Sequence, residues 1–266
     1  MNILKILLIS LVLAYFLLVG IIYVKQRDML YHPSKQVHEL SYYNLDNTEE
    51  ITIITKDNVA LQAWYHPASL NHEMIIFLHG NSGNLEDRVP HLRELIEMVY
   101  GFIIPAWRGF GKSEGLPSLN GLLLDAQAAI HFLQTKHYPL DKIIIVGESL
   151  GTGIATQITV EHKFKGLFLI TPYTSIADRA GEIYPFLPTQ LLTKDNFMVL
   201  DNIDKINQPL LMIHGDQDIV VPYQHSEKIF TKAHEPKKLI IYPGIGHNNY
   251  SVKEAFTEMK NFFSQF

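Results

Sequence analysis

Apolar and polar positions along the chain fall into short blocks that predict strands and helices in turn. Eight apolar or β-branched runs have the length and composition of strands. They lie at Ile51–Thr55, Ala60–His66, Met74–His79, Gly101–Pro105, Lys142–Gly147, Gly166–Thr171, Pro209–His214 and Lys237–Tyr242. Stretches with helical spacing follow the later runs, at Arg88–Val99, Leu119–His137, Ser149–Glu161, Tyr223–Ala233 and Val252–Phe263. This alternation predicts an α/β fold in which an eight-stranded, mainly parallel sheet is covered by helices on both faces.

The first two runs and one later segment depart from this alternation. In the first two runs polar residues alternate with apolar ones, and a tight turn at residues 56–58 joins them, which predicts an antiparallel hairpin at one edge of the sheet. Residues 174–208 contain Pro185 and Pro188 among apolar side chains. We expect this segment to form a short lid between the sixth and seventh strands. The pattern predicts no internal repeat and no second domain.

Residues 6–24 form an apolar run of nineteen residues in which only one serine and one glycine are not apolar. As a helix the run would be about 28 Å long, close to the ~30 Å hydrocarbon thickness of a membrane. Basic residues flank it on both sides. The run predicts a single membrane-spanning helix, with residues 1–28 as an N-terminal anchor and residues 29–266 as the α/β domain.

A cleaved signal peptide is the alternative interpretation of this run. The apolar region of a signal peptide is usually only about 7 to 15 residues long and ends at a small-residue cleavage site. The residues at 20–23 make a poor cleavage site, so an uncleaved anchor is favoured. The side of the membrane stays open, because Lys5 before the run faces Lys25, Arg27 and Lys35 after it, and the Lys/Arg asymmetry gives no direction.

Composition narrows the classes of function. Hydrophobic residues make up 47% of the chain and charged residues 18%, which excludes a disordered chain. The formal net charge is −5 and no Lys/Arg cluster offsets it, so nucleic acid is not an expected partner. The chain has no cysteine, which excludes disulfides and thiolate nucleophiles. No compact metal-ligand motif occurs, and we expect no cofactor.

The fifth predicted strand leads into Gly-Glu-Ser-Leu-Gly at residues 147–151, a G-x-S-x-G pattern. A serine on a sharp strand-to-helix turn needs glycine two residues before and after it, because Cβ atoms there would collide. The pattern predicts Ser149 as a nucleophile and the backbone amide of Leu150 as a donor to a developing oxyanion. An ordinary turn is the alternative, but the strand and helix on either side favour the nucleophile.

A serine nucleophile needs a base, and the base needs a group that orients it. His247 lies in a Gly-rich turn after the last predicted strand, and Asp216 and Asp218 lie in the loop after the seventh. We favour Asp218 as the acid because it sits further into the loop, whereas Asp216 is better placed to hold the turn by bonding backbone amides. His214 ends a strand and is expected to be structural.

Two Gly-containing loops remain. His79-Gly80-Asn81 follows the third predicted strand, and we expect the Asn81 amide to act with that of Leu150 on the oxyanion; a simple turn is the alternative. Residues 109–113 read Gly-Phe-Gly-Lys-Ser, like the end of a phosphate-binding loop. The earlier glycine that this motif needs is absent, with alanine at position 106, so ATP or GTP binding is not expected.

Taken in order, these motifs resemble the α/β-hydrolase superfamily from about Leu30 to the C-terminus, with the chain order serine, acid, histidine. The apolar N-terminus, the strap at residues 30–34, the residues at 107–115 and Gly246-His247-Asn248 resemble the membrane-anchored, bud-emergence-related branch. One departure is Ala106-Trp107-Arg108, where many members carry Asp-Tyr-Arg. Because the arginine is kept, this departure concerns the structure of the loop more than the chemistry.

The resemblance implies eight strands with the second antiparallel to the rest, and a catalytic triad of Ser149, Asp218 and His247 with oxyanion amides from Asn81 and Leu150. It also implies hydrolysis of carboxylic esters or thioesters, with small acyl esters, lipids or acylated proteins as substrates. A serine peptidase or amidase on the same residues is the alternative within the enzyme class. A non-catalytic, membrane-tethered binding protein is the alternative outside it. The oligomeric state and the natural substrate are left open.

Overall fold

The computed structural model describes residues 3–69 and 72–266, and the fold is built on one eight-stranded sheet. The strands are β1 (Glu49–Ile54), β2 (Ala60–His66), β3 (Met74–Leu78), β4 (Gly101–Pro105), β5 (Ile143–Glu148), β6 (Gly166–Ile170), β7 (Leu210–Gly215) and β8 (Lys237–Tyr242). Their order across the sheet is β8-β7-β6-β5-β3-β4-β2-β1. Only β2 runs antiparallel to its neighbours β1 and β4, which confirms the predicted edge hairpin and the mainly parallel sheet.

Helices flank this sheet, as the sequence predicts. They are α2 (Val89–Glu97), α3 (Leu119–Thr135), α4 (Gly151–Glu161), α7 (Gln224–Lys232) and α8 (Val252–Phe263). The chain also forms α1 (Ile3–Leu30) and, in the lid region, α5 (Ile176–Ile183) and α6 (Thr189–Leu192). Helix α2 packs against α8, and α3 packs against α4. The five central strands β3 to β7 are buried at every residue, as strands covered on both faces must be.

Side-chain caps precede α2, α3 and α8, and the last two begin at the predicted residues Leu119 and Val252. The Asn84 side chain accepts from the Glu86 amide and begins a 3₁₀ turn at Leu85–Arg88, so α2 proper starts later than the apolar spacing predicts. The side chains of Ser118 and Ser251 cap α3 and α8 in the same way. Such caps satisfy amides that have no partner within the helix.

The connection from α1 to the domain is a strap with defined pairing. Helix α1 continues to Leu30, two residues beyond the predicted anchor, and His32–Pro33 then pairs in parallel with Ser82–Gly83. The His32 amide donates to the Asn81 carbonyl at 2.8 Å. The strap is therefore fixed to the loop that follows β3.

The segment of residues 174–208, called the lid segment below, carries α5, α6 and a 3₁₀ turn at Ile203–Lys205. An antiparallel bridge between Ser175 and Met198 closes its base. Helix α1 lies beside it, with the Tyr15 hydroxyl donating to the Phe186 carbonyl at 3.0 Å. The predicted interruption between the sixth and seventh strands is thus a small helical segment that contacts α1.

Candidate active site

Ser149 occupies a sharp turn between β5 and α4. Its φ of 49° lies in the left-handed region, which costs an L-residue energy, and its amide donates to the Ile170 carbonyl at 2.9 Å. A Cβ on Gly151 would lie 2.0 Å from the Leu78 carbonyl oxygen, so only glycine fits there. Because the backbone of Ser149 is left-handed, α4 begins at Gly151, two residues after the predicted start at Ser149.

Three predicted residues form a hydrogen-bonded chain at the carboxyl ends of β5, β7 and β8. His247 Nε2 lies 2.9 Å from Ser149 Oγ, and His247 Nδ1 lies 2.6 Å from Asp218 Oδ2. In the tautomer that satisfies both contacts, the serine hydroxyl donates to Nε2 and the Nδ1 hydrogen is donated to Asp218. This arrangement can remove a proton from Ser149 while Asp218 stabilises the resulting imidazolium.

Asp218 is completely enclosed by its partners, while Asp216 serves the neighbouring loop. Burial of Asp218 favours its neutral form, but hydrogen bonds from His214 and His247 outweigh burial and hold its pKa well below the usual range. Its Oδ1 accepts from the amides of Val220 and Val221, both at 2.8 Å. Asp216 instead accepts from the Gly244 amide at 2.7 Å. The expectation that Asp216 holds its own turn is therefore wrong: Asp218 makes those bonds, since it is the residue whose side chain turns inward.

His214 has a more specific place than a general structural role. Its ring is buried between Ser226, whose Oγ lies 2.7 Å from Nδ1, and the carbonyl of Val221, 2.8 Å from Nε2. The same Nε2 lies 3.1 Å from Asp218 Oδ2. Asp218 therefore has a second imidazole on the side away from Ser149, which fixes the orientation of the carboxylate.

The two candidate oxyanion amides lie on either side of Ser149. Leu150 is the N-cap residue of α4, and a Cβ on Gly80 would lie 3.5 Å from the Ser149 Cβ, so the loop that ends in Asn81 passes close to the nucleophile. Within residues 3–69 and 72–266, neither the backbone N–H of Asn81 nor that of Leu150 donates to a protein acceptor. Two free amides beside a serine are the arrangement that binds an oxyanion.

Trp107, in the departing sequence Ala106-Trp107-Arg108, is hydrogen-bonded to this loop. The Trp107 indole donates to the His79 carbonyl at 2.9 Å, and the Trp107 amide lies 3.3 Å from His79 Nε2. Burial, assisted by the nearby Arg88 guanidinium, lowers the pKa of His79 to about 3, so its ring stays neutral. Arg108 binds Asp57 and Asp125 at 2.8 Å each and has no contact with Ser149.

A polar cavity of about 330 Å³ opens beside Ser149 and His247. One wall carries Glu148, whose Oε2 accepts from Arg88 Nε at 2.7 Å. Burial opposes ionisation of Glu148, but the Arg88 charge outweighs it and lowers the pKa of Glu148 to about 2. His91 Nε2 lies 2.7 Å from the Tyr250 hydroxyl, and its Nδ1 has no partner. The cavity thus offers a polar substrate group an ion pair, whereas the Nδ1 of His91 is buried in its wall.

These cavity residues are absent from the sequence-based prediction. Glu148 is an unspecified position of the G-x-S-x-G pattern, so its place beside Ser149 was visible in the sequence. Its partner Arg88 is sixty residues away in the chain, and nothing in the spacing links the two. His91 and Tyr250 meet only because α2 packs against α8.

Comparisons with known proteins place this geometry in a family. A model described as "alpha/beta hydrolase fold" matches residues 73–197, and one described as "Serine aminopeptidase, S33" matches residues 189–251. An uncharacterised protein of Mycobacterium tuberculosis is 31% identical over 232 residues, covering 86% of this chain and 82% of the relative. Protein bem46 of Schizosaccharomyces pombe is 26% identical over 260 residues, covering 90% of this chain and 86% of the relative.

Solved structures agree on the fold. An esterase of Pyrococcus furiosus superposes with a TM-score of 0.67 at 21% identity, covering 89% of this chain and 94% of that chain. The similarity to bem46 confirms the expected resemblance to the bud-emergence-related branch. The sheet order with one antiparallel strand, the serine turn after β5 and the extended match to a relative at 31% identity together establish that this chain belongs to the α/β-hydrolase family.

Proposed function

We propose that this protein is a serine hydrolase, held at a membrane by its N-terminal helix, that cleaves carboxylic ester or thioester bonds. The observation that carries the proposal is the continuous hydrogen-bonded chain from Ser149 through His247 to Asp218, with distances of 2.9 and 2.6 Å. A binding protein without turnover has no need of a buried carboxylate aligned behind a histidine that contacts a strained serine. The non-catalytic alternative is therefore disfavoured.

The proposed reaction has two halves that share the same groups. Ser149 Oγ attacks the acyl carbonyl while His247 Nε2 takes its proton, and the amides of Asn81 and Leu150 bind the oxyanion. The intermediate collapses when His247 returns the proton to the departing alcohol or thiol, which leaves an acyl group on Ser149. Water, deprotonated by His247, then cleaves the acyl-enzyme and restores the serine.

Ester or thioester cleavage is favoured over peptide cleavage by the charge state of the polar cavity. A peptidase that recognises a free α-amino group needs an unpaired carboxylate near the nucleophile, and Glu148 is neutralised by Arg88. The match of residues 189–251 to a serine aminopeptidase model keeps amide cleavage as the second candidate.

The membrane role of α1 rests on its lack of protein cover and on contacts made by its last turns. The helix is 28 residues long, and none of its side chains is buried, so its apolar surface needs another apolar phase. Arg27 and Tyr31 both bind the carboxylate of Asp195, which is 4% exposed. Arg27 and Tyr31 lie after the possible cleavage site at residues 20–23, so the contact that argues against cleavage is the one from the Tyr15 hydroxyl to the Phe186 carbonyl at 3.0 Å. These contacts support an anchor over residues 1–28 and a hydrolase domain over 29–266 with residues 174–208 as its lid.

A paired labelling and turnover experiment tests the proposal on the full chain in detergent. We expect a fluorophosphonate probe to label the protein and a p-nitrophenyl butyrate assay to show turnover, and we expect Ser149→Ala to abolish both. An aminoacyl p-nitroanilide, run in parallel, should be cleaved far more slowly than the ester. Labelling that persists in Ser149→Ala, or faster cleavage of the anilide, would contradict the assignment. Mass spectrometry of the membrane fraction should find the N-terminal segment uncleaved.

A further inference from the structure

A second, mostly apolar cavity of about 240 Å³ lies between α1 and the lid segment. Its walls come from the last two turns of α1 and from α5, α6 and the residues next to them. The apolar lining residues include Ile22, Leu30, Ile176, Ala180, Ile183 and Leu187. A partly open apolar space of this kind, built from two separate parts of the chain, is typical of a ligand site.

This cavity adjoins the Ser149 site at two points. Leu30 lines the cavity, and its carbonyl accepts from the side chain of Asn81 at 2.6 Å; Asn81 also lines the polar cavity beside Ser149. Arg179 lines the apolar cavity from α5, and its guanidinium donates to the carbonyls of Ile219 and Val220. These carbonyls directly follow Asp218 in the chain. The two cavities thus border each other at Leu30 and Asn81, and Arg179 connects the apolar cavity to the loop that follows Asp218.

The other side of the cavity is continuous with the apolar surface of α1. Tyr15, which bonds the Phe186 carbonyl, lies nine residues before Val24, or about 14 Å along the helix axis. The tip of the lid segment therefore touches the part of α1 that the proposed anchor places in the hydrocarbon layer. Phe186 and Ile183 are both about half exposed on this tip. A hydrocarbon chain in the membrane can reach the cavity without passing through water.

We propose that this anchor–lid cavity binds the acyl chain of a membrane amphiphile, so that α1 is a wall of the substrate site as well as an anchor. The inference rests on the proposed ester or thioester hydrolysis at Ser149. The apolar cavity takes the acyl chain, the carbonyl lies at Ser149, and the polar cavity with Arg88 and Glu148 takes the polar part. The occupant is a single hydrocarbon chain because polar groups are few along the walls. Among them are the paired Arg27 and Asp195, and Arg179 on α5.

A cavity-filling substitution on the lid segment tests this site in the full chain. Ala180→Trp places a large side chain in the cavity, and Leu191→Trp adds the same side chain at a neighbouring lid position that is 86% exposed and does not line the cavity. The measurement is kcat/KM for p-nitrophenyl esters of two, eight and twelve carbons in one detergent. Each methylene that enters the cavity raises kcat/KM by up to about fourfold in the unmodified chain.

We expect Ala180→Trp to lower the ratio of twelve-carbon to two-carbon kcat/KM at least tenfold and Leu191→Trp to leave that ratio unchanged. A ratio that is the same in all three proteins overturns the site. If the unmodified chain does not cleave even the two-carbon ester, or if turnover survives Ser149→Ala, the proposed function is overturned instead. If Ala180→Trp fails to fold, Ala180→Leu carries the same comparison with a smaller expected change.

Photo-crosslinking measures occupancy of the cavity without any turnover. The probe is palmitic acid that carries a diazirine group, incorporated in phosphatidylcholine vesicles together with the protein. We expect photo-crosslinks in residues 176–187 of the Ser149→Ala chain, reduced severalfold when Ala180→Trp is added and unchanged when Leu191→Trp is added. Equal crosslinking in the two tryptophan variants would show that the label reaches only the outer surface of the lid segment. That outcome would also overturn the proposal.

Discussion

The guanidinium of Arg27 binds the carboxylate of Asp195 with two hydrogen bonds, Nε to Oδ2 at 2.8 Å and Nη2 to Oδ1 at 3.1 Å. This pair joins the last turns of α1 to the lid segment. Asp195 also accepts from the Tyr31 hydroxyl and from the Leu119 amide, the first residue of α3. One buried carboxylate therefore holds together α1, the strap, the lid segment and α3.

Removing the arginine should loosen this junction. Arg27→Met leaves Asp195 buried with fewer donors, and because Arg27 is half exposed we expect a loss of only about 1–2 kcal/mol in the free energy of unfolding. Proteolysis within residues 174–208 should become faster at the same time. The measurements are thermal unfolding in detergent and limited proteolysis followed by mass spectrometry.

The matched control for this prediction is Lys25→Met. Lys25 pairs with Asp28 at 2.9 Å on the same helix, with both side chains mostly exposed, and exposed pairs contribute at most about 1 kcal/mol. We expect no measurable change in lid proteolysis. Equal effects of the two substitutions would mean that Asp195 does not depend on Arg27.

The two neighbouring aspartates should differ sharply in their effect on turnover. Asp218→Asn keeps an oxygen that accepts from the Val220 and Val221 amides. Its new NH₂ group can donate to His247 Nδ1, however, and this favours the imidazole tautomer that cannot accept the serine proton. We therefore expect kcat to fall about 10³- to 10⁴-fold. Asp216→Asn keeps an acceptor for the Gly244 amide. It should lower kcat less than about tenfold, since Asp216 makes no contact with His247. Steady-state kinetics with p-nitrophenyl butyrate measure both variants, and a larger loss in Asp216→Asn would reassign the acid.

The ion pair between Glu148 and Arg88 should make the free energy of unfolding depend on pH between about 4.5 and 2. The pKa of Glu148 falls from an ordinary 4.5 to about 2 in the folded chain. A carboxyl with a lowered folded pKa stabilises the fold fully above its unfolded pKa and loses that effect as the pH falls through the folded value. We therefore expect Glu148→Gln to reduce the free energy of unfolding by roughly 1–3 kcal/mol at pH 7, with a difference that shrinks between pH 4.5 and 2. Denaturant unfolding at several pH values measures it.

Glu258→Gln provides the comparison for that pH series. Glu258 pairs with Lys238 at 2.7 Å, and more than a third of each side chain is exposed. The expected change is below about 0.5 kcal/mol at every pH. A Glu148→Gln deficit that persists undiminished at pH 2 would show that lost packing, and not the ion pair, causes it.

Much of the fold could be predicted because strands and helices here follow local patterns. The central strands are continuous apolar runs, and the glycines at positions 147 and 151 indicate the turn at Ser149. His247 and Asp218 could be found because each follows a strand, and parallel strands bring their carboxyl ends to one edge. The local rule failed at Asp216, since which of two close aspartates turns inward depends on His247, which approaches from the loop after another strand, as well as on the nearby His214.

The contacts between segments far apart in the chain could not be predicted in the same way. Arg88 and Glu148, Arg27 and Asp195, and Tyr15 and Phe186 are 60, 168 and 171 residues apart. Each pair forms only after the sheet has placed its two segments together. An apolar run at the N-terminus indicates a membrane helix by length alone, but the cavity that it shares with the lid segment is a property of packing.

The backbone of Ser149 gives a last prediction, in which loss of activity is accompanied by a gain in stability. Its φ of 49° is strained for a residue with a Cβ, whereas glycine adopts it freely. Ser149→Gly and Ser149→Ala both remove the hydroxyl that His247 contacts, but only the glycine variant relieves the strain. We expect Ser149→Gly to be more stable than Ser149→Ala by about 0.5–1 kcal/mol, after the larger chain entropy of unfolded glycine is subtracted. Denaturant unfolding of the two inactive variants measures the difference, and a less stable glycine variant would show that the turn stores no strain.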